Sequence, residues 1–147
     1  VVEENCVWVE SGSTIKFVDV GDHSTIEEFS SKDMHSIKRK NQATFMVETI
    51  SLTDMLDKHN APNLIDYLSI DTEGSELYVL QGAQNIINQH KPLIQVETNH
   101  CSQKFFNYDK KEIYSFLYAM NYKILDDDGN DPIFYYDSNL KSSTILI

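Results

Sequence analysis

One stretch restricts this chain more than any other, Ile65 to Ala83, with the sequence IDYLSIDTEGSELYVLQGA. It opens with Ile65, Tyr67, Leu68 and Ile70, interrupted only by Asp66 and Ser69, which predicts a strand buried on both faces as in a parallel sheet. Acids crowd its end. Asp71 and Glu73 lie two apart and point to the same side if the extended conformation persists. Gly74 follows where the chain must turn, and its missing side chain permits a backbone shape or a close approach that others forbid. From Glu76 onward Leu77, Leu80 and Ala83 recur at helical spacing. Strand, acidic turn, helix is the order found at the carboxyl edge of an open α/β sheet, where such folds bind their ligands.

The flanking segments supply the rest of such a sheet. The helix from Glu76 is expected to pass Gly82 and reach about Asn88, with Lys91-Pro92 stopping it. Leu93-Ile94-Gln95-Val96 then predicts a second buried strand, and Glu97, Thr98, Asn99 and His100 occupy its carboxyl end. Two strands joined by a helical crossover would bring polar residues to one shared edge. Upstream, Val1 to Val9 and Thr14 to Val20 read as two short strands around a Gly turn. Asp22 to Lys40 has no persistent period and reads as a long loop of the kind that serves as a lid or binding segment. Thr44 to Ile50 predicts a strand, and Ser51 caps a helix that carries Asp54 three residues on and ends at Asn60-Ala61-Pro62. Downstream, Asp109 and Glu112 make a capping box before the stripe Ile113, Phe116, Leu117 and Met120. Tyr122 to Leu125 and Ile133 to Tyr136 read as strands around an Asp-Gly turn, and Ser143 to Ile147 as a β-rich run.

At 147 residues the chain suits one domain, 1–147, rather than two. It begins with Val1, not Met, and has no basic segment followed by an apolar one, so the expectation is an excerpt without a signal peptide, cytoplasmic by default. No apolar run approaches the roughly 18 to 20 residues of a membrane span. Its 23 acids against 12 Lys and Arg oppose nucleic-acid phosphate, and Lys38-Arg39-Lys40 is the sole basic cluster. Cys6 and Cys101 match no metal or redox spacing.

With these segments in view, the chain resembles the carboxyl-terminal portion of an FkbM-family methyltransferase domain. The residues that carry the likeness are Val47 to Asp54, then Ile65 to Glu76, then Val79-Leu80-Gln81-Gly82-Ala83, then Lys91 to Glu97. Weaker similarity extends over Asn5 to Phe17 and over Tyr122 to Ile147. The resemblance implies an α/β fold: a partial Rossmann-like class I methyltransferase sheet, mostly parallel with an antiparallel terminal strand, and helices on its faces. It also implies S-adenosylmethionine as cofactor, with Asn5, Cys6 and Asp71 on the cofactor side and Gly74, Glu76, His23 and Ser24 on the substrate side. The family's Gly-rich loop after its first strand is not in this sequence, whose five glycines are scattered.

Methyl transfer to a hydroxyl requires the oxygen to be held about 3 to 3.5 Å from the methyl carbon, so positioning does most of the work. A carboxylate or histidine that accepts the hydroxyl proton adds about 10² to 10⁴ in rate. Asp71, Glu73, Glu97 and His100 are the candidate catalytic residues, Asp71 and Glu73 first. Clustered carboxylates raise one another's pKa unless they share a proton or a cation, so Mg²⁺ held by Asp71, Glu73 and Glu97 is one resolution and a shared proton another. The expected acceptor is a hydroxyl on a sugar, lipid or small metabolite. Two other readings use the same residues. Asp71-Thr72-Glu73 can serve as the metal motif of a glycosyltransferase-like enzyme, or the acids can merely cap a helix in a noncatalytic interaction module.

Overall fold

In the structure, a computed structural model, residues 4–18, 25–26, 43–61, 64–98 and 106–138 are described. The strands are β1 (Cys6–Trp8), β2 (Thr14–Val18), β3 (Thr25–Ile26), β4 (Thr44–Ser51), β5 (Tyr67–Ile70), β6 (Leu93–Val96), β7 (Tyr122–Asp126) and β8 (Ile133–Tyr136). The helices among the described residues are α1 (Leu52–Lys58), α2 (Glu76–Gly82), α3 (Gln84–His90) and α4 (Lys110–Ala119). His23 and Ser24, His100, Cys101, most of the predicted 22–40 loop and the 143–147 run lie outside the described residues.

The strands form two mixed four-stranded sheets, ordered β1-β4-β2-β3 and β5-β6-β8-β7. This corrects the expectation of one mostly parallel sheet. In the first sheet β4 is parallel to β1 and antiparallel to β2, so it lies between the two strands that the Gly turn connects. The second holds the parallel pair β5/β6, in register from Tyr67↔Leu93 to Ile70↔Val96, and then the antiparallel β8 and β7. The expected crossover between β5 and β6 is present. Among the described residues β5 stands at the edge of its sheet, and it is not buried on both faces: Ile70 is buried, whereas Tyr67 and Ser69 are exposed.

Local chemistry explains the helix ends. Ser51 Oγ accepts from the Asp54 amide at 3.1 Å, as its N-cap position predicts. The box closes through a third residue, since the Ser51 amide donates to Ser11 Oγ and that hydroxyl donates to Asp54. These bonds, Ser11's first, hold the Asp54 carboxyl below its usual range. Asp109 and Glu112 form the full capping box of α4. Ile113 and Leu117 are buried, and Phe116 and Met120 pack partly buried against the same core.

The helix expected to run through Gly82 breaks at Ala83 (φ -92°, ψ 0°) into α2 and α3. α3 then runs to His90 and ends at a left-handed Lys91 (φ 52°) before Pro92. A Cβ on Gly82 would stand 2.2 Å from the Trp8 carbonyl oxygen, so only glycine lets α2 press on β1 this closely. Beside that contact the Trp8 and Tyr78 rings stack at 4.6 Å, with Phe106 tilted against both. The core continues through Leu80, Ile87, Ile94, Val96, Ile113, Leu117 and Phe134, all sealed from solvent.

The close contact reverses the usual sign of a helical Gly→Ala change, which ordinarily stabilises by about 0.5 to 1 kcal/mol. Because the opposing atom is backbone, Gly82→Ala is expected to lower stability by about 1 to 3 kcal/mol. Urea unfolding followed by Trp8 fluorescence measures this, and an unchanged or raised midpoint would contradict the packing of α2 on β1.

Candidate active site

The carboxyl ends of β5 and β6 define the site. Ile70 pairs with Val96, so Asp71 and Glu97 each follow the last paired residue of adjacent parallel strands. The Glu97 amide donates to the Ile70 carbonyl at 2.9 Å, which carries the pairing to the rim itself. Asp71 is exposed there, and Glu97 is half-buried with Oε2 withdrawn from solvent. Thr98 then anchors β6, since its amide and its hydroxyl both donate to the Asn130 carbonyl, at 2.6 and 3.1 Å. The turn that offers this carbonyl is the predicted Asp-Gly turn, tied by Asp127 accepting from the Gly129 amide and Asp128 from the Asn130 and Asp131 amides.

Beyond Asp71 the chain does not stay extended. Glu73 has φ 53° and Gly74 φ 111°, two successive left-handed residues. Such a conformation costs a non-glycine residue roughly 1 to 2 kcal/mol, and it removes the same-side relation expected of Asp71 and Glu73. Glu76 holds the turn in this shape. Its side chain is 1% exposed and folds back, Oε1 accepting from the Gly74 amide at 2.8 Å, the Thr72 amide at 3.0 Å and the Thr72 hydroxyl at 3.2 Å. Its Oε2 lies 3.0 Å from the Tyr108 hydroxyl, which also donates to the Gly74 carbonyl at 2.7 Å. Glu76, expected to face substrate, is thus turned inward onto its own turn.

Cys6 is the first residue of β1 in the first sheet and Asn5 directly precedes it, so neither follows the β5 and β6 strand ends. Asn5 Nδ2 donates to the Glu48 carbonyl at 3.2 Å. Cys6 is half-buried in β1, and burial pushes its thiol up, away from the reactive thiolate. Among the described residues no three of His, Cys, Asp or Glu are grouped as a metal ion requires, so the expected Asp71, Glu73 and Glu97 cation set is not assembled there. The reason is the left-handed turn at Glu73. A cleft of about 200 Å³ lined by Leu56, Asp57, Ile65 and His90 opens beside the amino end of β5, away from Asp71. Tyr108 is the residue that sequence reasoning passed over. It precedes the Asp109 cap, and no local pattern connects it to a turn more than 30 positions earlier.

Over residues 2–124 the sequence matches the family described as Methyltransferase FkbM domain. The chain belongs to the FkbM methyltransferase family. Among solved structures it is similar to the methyltransferase FkbM of Methylobacillus flagellatus KT, at 24% identity and a TM-score of 0.44. That match covers 62% of this chain and 24% of the other, so the chain spans about a quarter of that protein's length. No curated protein matches it. Among the described residues no helix is long and apolar enough to cross a membrane.

Removing the buried carboxylate leaves the Thr72 and Gly74 amides without their acceptor. Glu76→Ala is accordingly expected to destabilise the FkbM-family chain by about 2 to 4 kcal/mol. Thermal and urea denaturation read this directly; a loss under about 0.5 kcal/mol, the size of an ordinary surface change, would show that the turn does not need Glu76.

Proposed function

We propose that the chain is the substrate-facing part of an S-adenosylmethionine-dependent methyltransferase that methylates a hydroxyl on a sugar, lipid or small metabolite. Family membership supports methyl transfer, and the observation that carries the site is the parallel β5/β6 register, which sets Asp71 and Glu97 on adjacent strand ends. When bound, S-adenosylmethionine supplies a methyl group on a positively charged sulfonium. An exposed carboxylate rim suits that charge, and Asp71 is the residue assigned to the cofactor side. Asn5 and Cys6, engaged within the first sheet, fit that part less well.

Asp71 is also the preferred acceptor of the hydroxyl proton. It is exposed at the rim, whereas the Glu76 carboxylate is engaged through both oxygens. Glu97 and Glu73 are the secondary candidates beside it, with His100 following Glu97 in sequence. Gly74 and Glu76 shape the rim that substrate would meet, and His23 and Ser24 remain candidates for substrate binding. The proposal does without Mg²⁺, for which the described residues offer no three-ligand group.

Calorimetric titration of S-adenosylmethionine, into this chain and into a form lengthened at its amino terminus, tests the cofactor assignment. Binding by either form supports it. Binding by neither, with a UDP-sugar and Mn²⁺ taken up instead, would replace it with a glycosyltransferase; no binding of either ligand would leave an interaction module. In a form that binds, Asp71→Asn is expected to cut turnover by about 10² to 10⁴ against a panel of hydroxyl acceptors, with a much smaller change in cofactor affinity. Release of S-adenosylhomocysteine measures turnover, and an unchanged rate removes Asp71 from the reaction.

A further inference from the structure

We propose that Tyr108 is a positioning residue for the acidic turn, its hydroxyl bridging Gly74 and Glu76 so that the segment leading into α4 holds the turn that presents Asp71. The structural part stands on geometry alone; its consequence for the cofactor rests on the methyltransferase reading. The Tyr108 oxygen lies 2.7 Å from the Gly74 carbonyl, 3.0 Å from Glu76 Oε2 and 3.3 Å from the Leu77 amide, which donates to it. All three partners belong to the turn or to the first residues of α2. The side chain is 5% exposed and its ring meets Tyr78 edge-on at 6.1 Å.

Packing alone would be served by phenylalanine. A buried hydroxyl is unfavourable unless bonded, and this one finds three partners between Gly74 and Leu77. It has one proton and two acceptors, so its bond can move between Gly74 and Glu76 without leaving the turn. The ring is held from the other side. Asn107 is left-handed at φ 57°, and Asp109 caps α4 with its carboxylate accepting from the Lys111 amide at 2.6 Å. Tyr108 is therefore set between two fixed backbone features. A displacement of residues 106–109 would reach the Thr72 and Gly74 amides through one hydroxyl and one carboxylate.

Tyr108→Phe deletes only the oxygen, and Glu76→Gln serves as the conservative partner variant. Its amide oxygen can still accept from Thr72 and Gly74, while its NH₂ can donate to Tyr108. Amide hydrogen exchange by NMR, on the 147-residue chain, reads the turn residue by residue. With Tyr108→Phe the Gly74 and Leu77 amides are expected to exchange about 10-fold faster or more, while those of Ile113 and Leu117 in α4 stay within about threefold. Glu76→Gln, which keeps the acceptor without its charge, should also speed exchange of the Gly74 amide while leaving Ile113 and Leu117 within about threefold. A uniform acceleration through the turn and α4, or none in the turn, would overturn the proposal.

In a form that binds S-adenosylmethionine, Tyr108→Phe should weaken that binding at least about fivefold. Equal binding by Tyr108→Phe and the parent would overturn the link to the cofactor. A parent that binds no S-adenosylmethionine in any form would instead overturn the methyltransferase reading, and the exchange comparison would still decide the positioning role.

Discussion

A single buried carboxylate allows the rest of the rim to exist. Two successive left-handed residues at the end of a strand point backbone amides inward, where water cannot satisfy them. Glu76 supplies the missing acceptor from within the first turn of α2, and so one side chain both stabilises a helix start and closes the turn before it. Neutral hydrogen bonds contribute about 1 kcal/mol each, and those to a charged group roughly 1.5 to 3 kcal/mol. Three bonds to Oε1 therefore comfortably exceed the roughly 1 to 2 kcal/mol that the left-handed Glu73 costs. With the Glu76 oxygens held by these bonds, the chain can leave β5 sharply and keep Asp71 at the surface.

That turn is also where the two sheets are joined. α2 begins at Glu76 on the second sheet and ends at Gly82 against the Trp8 carbonyl of the first. Its Tyr78 lies between, stacked on Trp8 and edge-on to Tyr108. The same seven-residue helix thus carries the polar anchor of the rim at one end and a close backbone approach to β1 at the other. Helices this short have little stability of their own, since nucleation is unfavourable and propagation brief. α2 persists because both ends and one aromatic face are fixed by tertiary contacts.

What the sequence made legible follows the range of the interactions. The limits of β6, the Ser51 cap and the Asp109–Glu112 box are set within about four residues, and each is found where the pattern predicts. Strand partners are not local. β4 enters between β1 and β2 by pairing with residues 43 positions away in β1 and 26 to 34 away in β2, and nothing in the Gly turn of residues 11–13 announces it. The apolar run of β5 was legible as a strand but not as an edge, because hydrophobicity records what a segment can bury and not which neighbours it finds. Helical spacing across Ala83 concealed the break, since the residues on both sides keep the same buried face. At the rim the limits are sharper still. Asp71, Glu73 and Glu76 are three carboxylates within six residues, and only coordinates separate the exposed one from the left-handed one and the buried one.

That separation decides how chemistry can be divided among them. A group that takes a proton from substrate must have a lone pair facing outward and must be able to change charge without dismantling its surroundings. Glu76 satisfies neither condition, because its oxygens are committed to Thr72, Gly74 and Tyr108, and losing them would release the turn. Asp71 is exposed, and it meets the Glu76 network only through the backbone amide that follows it. In the proposed reaction the two acids are accordingly complementary: the inner one keeps the backbone in an unfavourable shape so that the outer one stays exposed at the strand end. A rim built from two interchangeable carboxylates could not do both, since whichever reacted would also be the one holding the turn.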